Sequence, residues 1–251
     1  MFNNIPPITK NIIIINIVVY LVSNFLYTDL YNLLSAYYPF SPNFHSWQVI
    51  THMFMHAKLG KGTGIMHIIF NMFTLYSFGP ILEQTLGEKK YLILYFLSGL
   101  GAFFLFNLWN FVEIQQMVSD LEHLGLNPAE IFTKANNNYT GSLEISANTN
   151  EGVELSQNLY NALKSPMLGA SGAIFGVVAA FTTLYPDTKL MIMFIPIPIK
   201  AKYIMPVVII VSIALGVTGN VGGVAHLAHV GGALVGFLLA SNWRKHLYRF
   251  N

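Results

Sequence analysis

The strongest constraint on this chain is a set of six apolar stretches. Each is about as long as a helix needs to cross a bilayer, roughly 17–25 residues. They cover approximately 11–27, 64–82, 91–112, 169–185, 203–219 and 225–243. Only 10% of the 251 residues are charged, against about 25% in a soluble domain, so the chain lacks the charge to cover a water-facing surface. The first stretch, NIIIINIVVYLVSNFLY, is β-branched enough to pass for a buried strand, but its length and its five companions favour a helix. It has neither a strongly basic lead nor a small-residue cleavage site, so it reads as an anchor and not a removable signal. The expected fold is an all-α, polytopic membrane bundle of six transmembrane helices, a single domain over residues 1–251 with the lipid bilayer as its surroundings.

Lysine and arginine orient the spans. With both termini on one side, that side holds nine basic residues: Lys10, Lys89, Lys90, Lys189, Lys200, Lys202, Arg244, Lys245 and Arg249. The other side holds four: Lys58, Lys61, Lys134 and Lys164. Both termini are therefore expected in the cytoplasm, and the second, fourth and sixth spans run from outside to inside. A net charge of +2 gives no reason to expect nucleic acid. Absence of cysteine excludes disulfides, thiolate metal sites and a cysteine nucleophile. Residues 113–168 hold seven of the eleven acidic residues and read as a hydrophilic extracytoplasmic insert between the third and fourth spans. NPAE at 127–130 predicts a helix start capped by Asn127, with Pro128 in the first turn. NNNYTGS after it reads as turn, and the insert as a solvated loop, with a lid over the site as the second reading.

Polar groups inside spans are costly and are functional candidates by default. His67 and Asn71 lie four apart in the second span and share a face. In the fourth, Gly172, Gly176 and Ala180 form a small-residue stripe bordered by Ser171. In the sixth, His229, Gly232 and Gly236 share one face, with His226 one turn earlier. Small stripes let helices approach backbone to backbone. Packing stripe on stripe carries His229 to the helix that holds Ser171. His67, Ser171 and His229 each lie near the start of an inward-running span, and so at one shallow depth.

Such a site fits acyl transfer. His229 is the expected general base for Ser171 Oγ. Asn71, His67 and the Ser171 backbone N–H at a helix start are the expected oxyanion donors. The fourth and sixth spans contain no Asp or Glu, so the arrangement reads as a Ser–His dyad. Phe175, one turn below Ser171, is placed to hold the imidazole by ring packing. Taken singly, each of these residues also has a structural reading: a serine bonded to the preceding turn, or a His/Asn pair bonded to a neighbouring helix. The whole set also has competitors. Paired histidines and glycine-broken helices line transport paths, and the spacings His52/His56 and His226/His229 raise a metal or haem site.

Together these residues resemble the rhomboid intramembrane serine proteases over nearly all of residues 10–243 apart from the insert at 113–165. The family's G-x-S-G-x-x-[YF]-G pattern matches Gly169, Ser171, Gly172, Phe175 and Gly176; H-x-x-x-N matches His67 and Asn71; and histidine followed by G-x-x-x-G matches His229, Gly232 and Gly236. Gly79, Glu83 and Gly87 match the pattern that closes the second helix, and WQVITHMFMH looks like the family's first-loop region, with Gln48 where arginine is usual. The resemblance implies a six-helix bundle whose site opens to water from the outer face. It implies cleavage of single-pass transmembrane substrates without metal or cofactor, and substrate access gated by the fifth helix and outer loops, where Pro206 weakens that helix. A rhomboid-like protein without activity is the remaining alternative. The oligomeric state is not indicated, and the expected address is a bacterial inner membrane.

Overall fold

A computed structural model describes residues 5–60, 64–142, 147, 149–192, 195–217 and 223–247. The elements in order are α1 (Pro7–Leu21) continued by a π-helical turn (Val22–Leu26), α2 (Leu30–Leu34), α3 (Gln48–Thr51) with a 3₁₀ turn (His52–Phe54), α4 (Gly64–Leu86), α5 (Glu88–His123), α6 (Pro128–Lys134), α7 (Asn150–Lys164), α8 (Ser171–Leu184), β1 (Lys189–Ile192), β2 (Ile195–Lys200), α9 (Ala201–Val217) and α10 (Gly223–Leu247).

Among the described residues, three helical segments are long and apolar enough to cross a bilayer: Pro7–Leu26, Gly64–Leu86 and Glu88–His123. Ser171–Leu184 and Ala201–Ala214 are apolar but shorter. Lipid-facing residues are large and apolar, as in Ile14, Phe73, Phe104, Ile210 and Phe237. The core holds small residues at the helix seams and aromatic ones between them.

The centre of the bundle is α8 packed between α10, α5 and α4. A Cβ on Gly232 would collide with the carbonyl of Gly172, and one on Gly236 with the carbonyl of Gly176. A Cβ on Gly176 would strike Ser98, and one on Gly172 would strike Ala102, both on α5. Two seams of small residues thus bring three backbones into direct contact, the arrangement small-xxx-small stripes favour in lipid. At the far end, Glu83 of α4 is 2% exposed. Its carboxylate accepts from the backbone N–H of Ile8 (2.8 Å), the N–H of Thr9 (2.7 Å) and the Thr9 hydroxyl (2.7 Å). It caps the start of α1, satisfying N–H groups that a helix N-terminus leaves open, and so fixes α1 to α4.

Four features differ from the sequence reading. First, α5 does not stop near residue 112 but runs to His123. No helix breaker follows Phe111, and Ile114, Met117, Val118 and Leu121 continue an apolar face. Second, that face packs on α6 and α7, so the described residues of 113–164 form a small helical unit with its own core (Ile114, Leu121, Ile131, Leu159, Leu163) and not a solvated loop. α5 ends in a Schellman turn: Leu126 N–H donates to Leu121 C=O, Gly125 N–H donates to Glu122 C=O, and Gly125 has φ +72°. Asn127 caps α6 as expected, accepting from Ala129 N–H at 3.1 Å. Third, the fold is not wholly helical. β1 and β2 pair antiparallel as a short ribbon with Lys189 opposite Lys200. Fourth, the fourth apolar stretch yields only 14 helical residues, because the chain through 165–169 is extended: Met167 pairs with Ala36, and Gly169 has φ +121°. The end of the fifth stretch, 218–219, and the link 220–222 before the sixth lie outside the described residues.

Candidate active site

The site forms where α8 begins. Gly169 takes a left-handed conformation that residues with a Cβ rarely adopt, and its N–H donates to the His52 carbonyl at 3.0 Å. The turn so held places Ser171 as the first residue of α8. A Cβ at Gly169 would lie 3.0 Å from His67 Cε1, 3.2 Å from His67 Nε2 and 3.6 Å from Ser171 Oγ. Glycine therefore serves both conformation and space here, and the imidazole of His67 faces the serine across it.

His229 arrives from α10 along the Gly232/Gly236 seam. Its Nε2 lies 3.0 Å from Ser171 Oγ. The His229 ring stacks on Phe175, with centroids 4.1 Å apart and planes 5° from parallel. His226 meets the same ring edge to face at 5.9 Å. Stacking on one side and an edge contact on another leave the imidazole little freedom. No carboxylate is supplied by α8 or α10, which contain neither Asp nor Glu.

Asn71 is 7% exposed, and its Nδ2 has no hydrogen-bond partner. A buried amide donor without a partner costs roughly 1–3 kcal/mol, so it is a group poised for a ligand. With Phe175 it lines a groove of ≈ 510 Å³ between α4 and α9, whose walls include Phe70, Phe73, Val178 and Ile204. His67 receives the Ala57 N–H on Nδ1 at 3.5 Å, which leaves Nε2, the nitrogen towards Gly169, as the protonated one.

All eleven residues singled out in the sequence fall at or beside this place. His229 meets Ser171, Phe175 and His226. His67 and Gly169 face them, Asn71 lines the adjoining groove, and Gly172, Gly176, Gly232 and Gly236 form the seam beneath. Among the described residues no group of three or more His, Cys, Asp or Glu is placed to hold a metal ion, and His52 and His56 have different neighbours. His52 Nδ1 sits 2.8 Å from the Gln48 carbonyl. His56 lies beside His67, with ring centroids 5.2 Å apart.

Sequence reasoning missed the loop framework. Gln48, noted only as a departure from the usual arginine, is fully buried. Its Oε1 accepts from His45 N–H at 3.0 Å and Tyr37 N–H at 3.4 Å, while Nε2 donates to the carbonyls of Leu33 (3.3 Å), Asn32 (3.4 Å) and Asn43 (3.4 Å). An amide has both donor and acceptor and ties the loop where a guanidinium only donates. The insert adds further ties. Ser41 Oγ donates to Leu163 C=O and Asn43 Nδ2 to Ala135 C=O, both at 2.8 Å. Also missed was a third small-residue run, SGLGA at 98–102, the signal from which the seam that α5 presents to α8 and α10 could have been read.

Rhomboid domain matches cover residues 43–126 and 107–245, which together include the loop, the helical insert and the candidate site. The chain belongs to the rhomboid family. It is 28% identical over 221 residues to an uncharacterized mitochondrial rhomboid protein of Schizosaccharomyces pombe, covering 80% of this chain and 53% of that one. It is 26% identical to rhomboid protein 1, mitochondrial, of Saccharomyces cerevisiae (68% of this chain, 36% of that one) and 27% identical to the rhomboid protease AarA of Providencia stuartii (77% and 54%). The chain spans about half the length of the first of these relatives, and less of the second. Two of the three are mitochondrial, so the comparison gives no support to the bacterial inner membrane expected from sequence; what stands is a membrane protein.

Proposed function

We propose that this protein is an intramembrane serine endopeptidase that cleaves transmembrane segments of single-pass proteins, with Ser171 as nucleophile and His229 as general base. The observation that carries the reading is the 3.0 Å contact between Ser171 Oγ and His229 Nε2, with the imidazole clamped on Phe175. That the family includes proteins named as proteases, AarA and GlpG among them, supports it.

His229 takes the hydroxyl proton as Ser171 Oγ attacks the scissile carbonyl, then returns it to the leaving amine. The oxyanion is met by Asn71 Nδ2–H, His67 Nε2–H and the Ser171 N–H at the start of α8. Phe175 and His226 are positioning residues: in a dyad, they fix the ring where a third polar group would do so in a triad. Serine, imidazole and fixed N–H donors supply every group these steps use, so no metal or cofactor is invoked.

The substrate comes sideways from the bilayer along the groove between α4 and α9. In this reading the chain crosses six times, so both termini share one side, which the lysine and arginine balance makes the inner one, with the site towards the outer face. α8 is 14 residues long, about 21 Å at ~1.5 Å per residue, against a hydrocarbon thickness of ~30 Å. With its inner end at the membrane boundary, Ser171 lies beneath the outer surface under the loop that Gln48 organises. Water reaches it from above and the substrate from the side.

The test is cleavage of a reporter transmembrane segment by reconstituted protein. Ser171→Ala and His229→Ala are expected to abolish it at unchanged thermal stability, and Asn71→Ala to reduce kcat by roughly 10–1000-fold. A fluorophosphonate probe is expected to label Ser171 in the unaltered chain and not in His229→Ala. Continued cleavage by Ser171→Ala would overturn the mechanism.

A further inference from the structure

We propose that a second groove, behind α9, is a binding site for an anionic phospholipid. This groove has a volume of ≈ 620 Å³ between α8, α9 and α10. Its walls are apolar (Met205, Ile209, Ile210, Leu234 and Phe237 among them), and Lys202 and Arg244 stand together at one end. Ile210 is 66% exposed, so the trough opens outwards to lipid and not into the bundle.

Charge decides the occupant. Asp187 bonds both Lys202 (2.9 Å) and Lys200 (3.2 Å), so one carboxylate offsets only one of two ammonium groups. Arg244 donates to a neutral acceptor, the Thr183 carbonyl, at 3.3 Å. The mouth therefore carries a net charge of about +2 by this pairing. Lys90 sits over the Trp243 ring at 5.9 Å, which places further positive charge at the same end of the bundle, opposite Ser171. An apolar trough with cations at one end only, at the level where headgroups lie, matches an anionic amphiphile. A free phosphate would leave the trough unused, and a neutral lipid would leave the cations unused. Pro206 lines the trough and has no N–H. The Lys202 carbonyl one turn before it thus loses its helical donor, which marks the wall as the irregular part of α9.

The site bears on the groove that reaches Asn71, because Met205 lines both. α9 is the partition between them, so an acyl chain behind it supports the wall along which a substrate would pass. Lipid binding itself rests on the fold and the charges, and stands or falls independently of the protease reading.

The experiment uses the full chain in phosphatidylcholine vesicles containing a minor fraction of phosphatidylglycerol with a photoactivatable acyl chain. After irradiation, adducts are expected on the facing sides of α9 and α10. Unlabelled phosphatidylglycerol is expected to compete them away, and phosphatidylcholine or inorganic phosphate is not. Lys202→Gln and Arg244→Gln should each weaken capture roughly fivefold, and the pair about 25-fold. Leu234→Trp, which fills the trough and keeps the charges, should abolish it, while Lys134→Gln at the opposite end should leave it intact. Adducts spread evenly over all lipid-facing helices, equal competition by phosphatidylcholine, displacement by inorganic phosphate, or full capture by the folded double variant would each overturn the proposal.

Discussion

At the scale of single residues, the site depends on how a few rings are held. Phe175 lies flat on His229 at 4.1 Å, and such pairs are worth about 0.5–1.5 kcal/mol beyond their area. Phe175→Leu is expected to lower kcat by roughly 2–10-fold with KM little changed, read from steady-state cleavage; rescue by Phe175→Tyr separates ring stacking from bulk. Two loop histidines set an acid limit. Burial pushes His52 down to about 4 from an ordinary 6.5, and burial, then the neighbouring charge of His67, pushes His56 down to about 3. Both pKa values are lowered in the folded chain, so the fold binds fewer protons than the unfolded chain over this range. The stability they contribute is complete above 6.5 and is lost as pH falls through about 4 and then about 3. Melting temperature in detergent should thus be level above about pH 7 and drop on acidification, with a shallower drop in His56→Phe. The site residues were legible because each carries chemistry that is out of place in oil. Gln48 was not, because its importance lies in five hydrogen bonds to a loop whose path no local pattern announces.

At the scale of elements, the seams carry the argument. Gly236 meets the Gly176 carbonyl and Gly232 meets the Gly172 carbonyl, so even a methyl group must push the two backbones apart. Gly236→Ala should destabilise by about 1–3 kcal/mol or more and reduce cleavage through the displaced His229, whereas Leu238→Ala, on a lipid-facing side chain 56% exposed, should stay within about 0.5 kcal/mol. Thermal unfolding in detergent beside probe labelling of Ser171 distinguishes the two effects. The stripes on α8 and α10 were readable from four-residue spacing alone. The length of α5 was not: Glu113, Asp120 and Glu122 made residues 113–123 look like the start of a loop, and only the tertiary partner α7 explains why Ile114 and Leu121 keep the helix going. The β1/β2 ribbon escaped for a related reason, since a short apolar run between prolines has no periodicity of its own.

At the scale of the whole molecule, charge asymmetry and fold make one claim about orientation. The insert and the start of α8 lie at one end of the bundle, and Lys189, Lys200, Lys202 and Arg244 at the other. The chain has no cysteine, so single introduced cysteines report sidedness cleanly. In right-side-out vesicles, a membrane-impermeant maleimide should label Asn138→Cys and spare Met191→Cys until detergent is added; the opposite pattern would reverse the orientation. The insert, stitched to the loop through Ser41 and Asn43, also leads through Met167 directly to Ser171, so the part of the sequence that looked least related to chemistry anchors the turn that holds Ser171.

The backbone contact between α8 and α10 has a wider consequence. Serine and imidazole ride on two rods locked by their own main chains, while α9 has a groove on each face and carries Pro206 within it. On the function proposed above, reactivity and admission are thus assigned to separate parts. Mild disturbance of the surrounding lipid would deny passage to a helical substrate while a small acylating reagent still finds the serine alert.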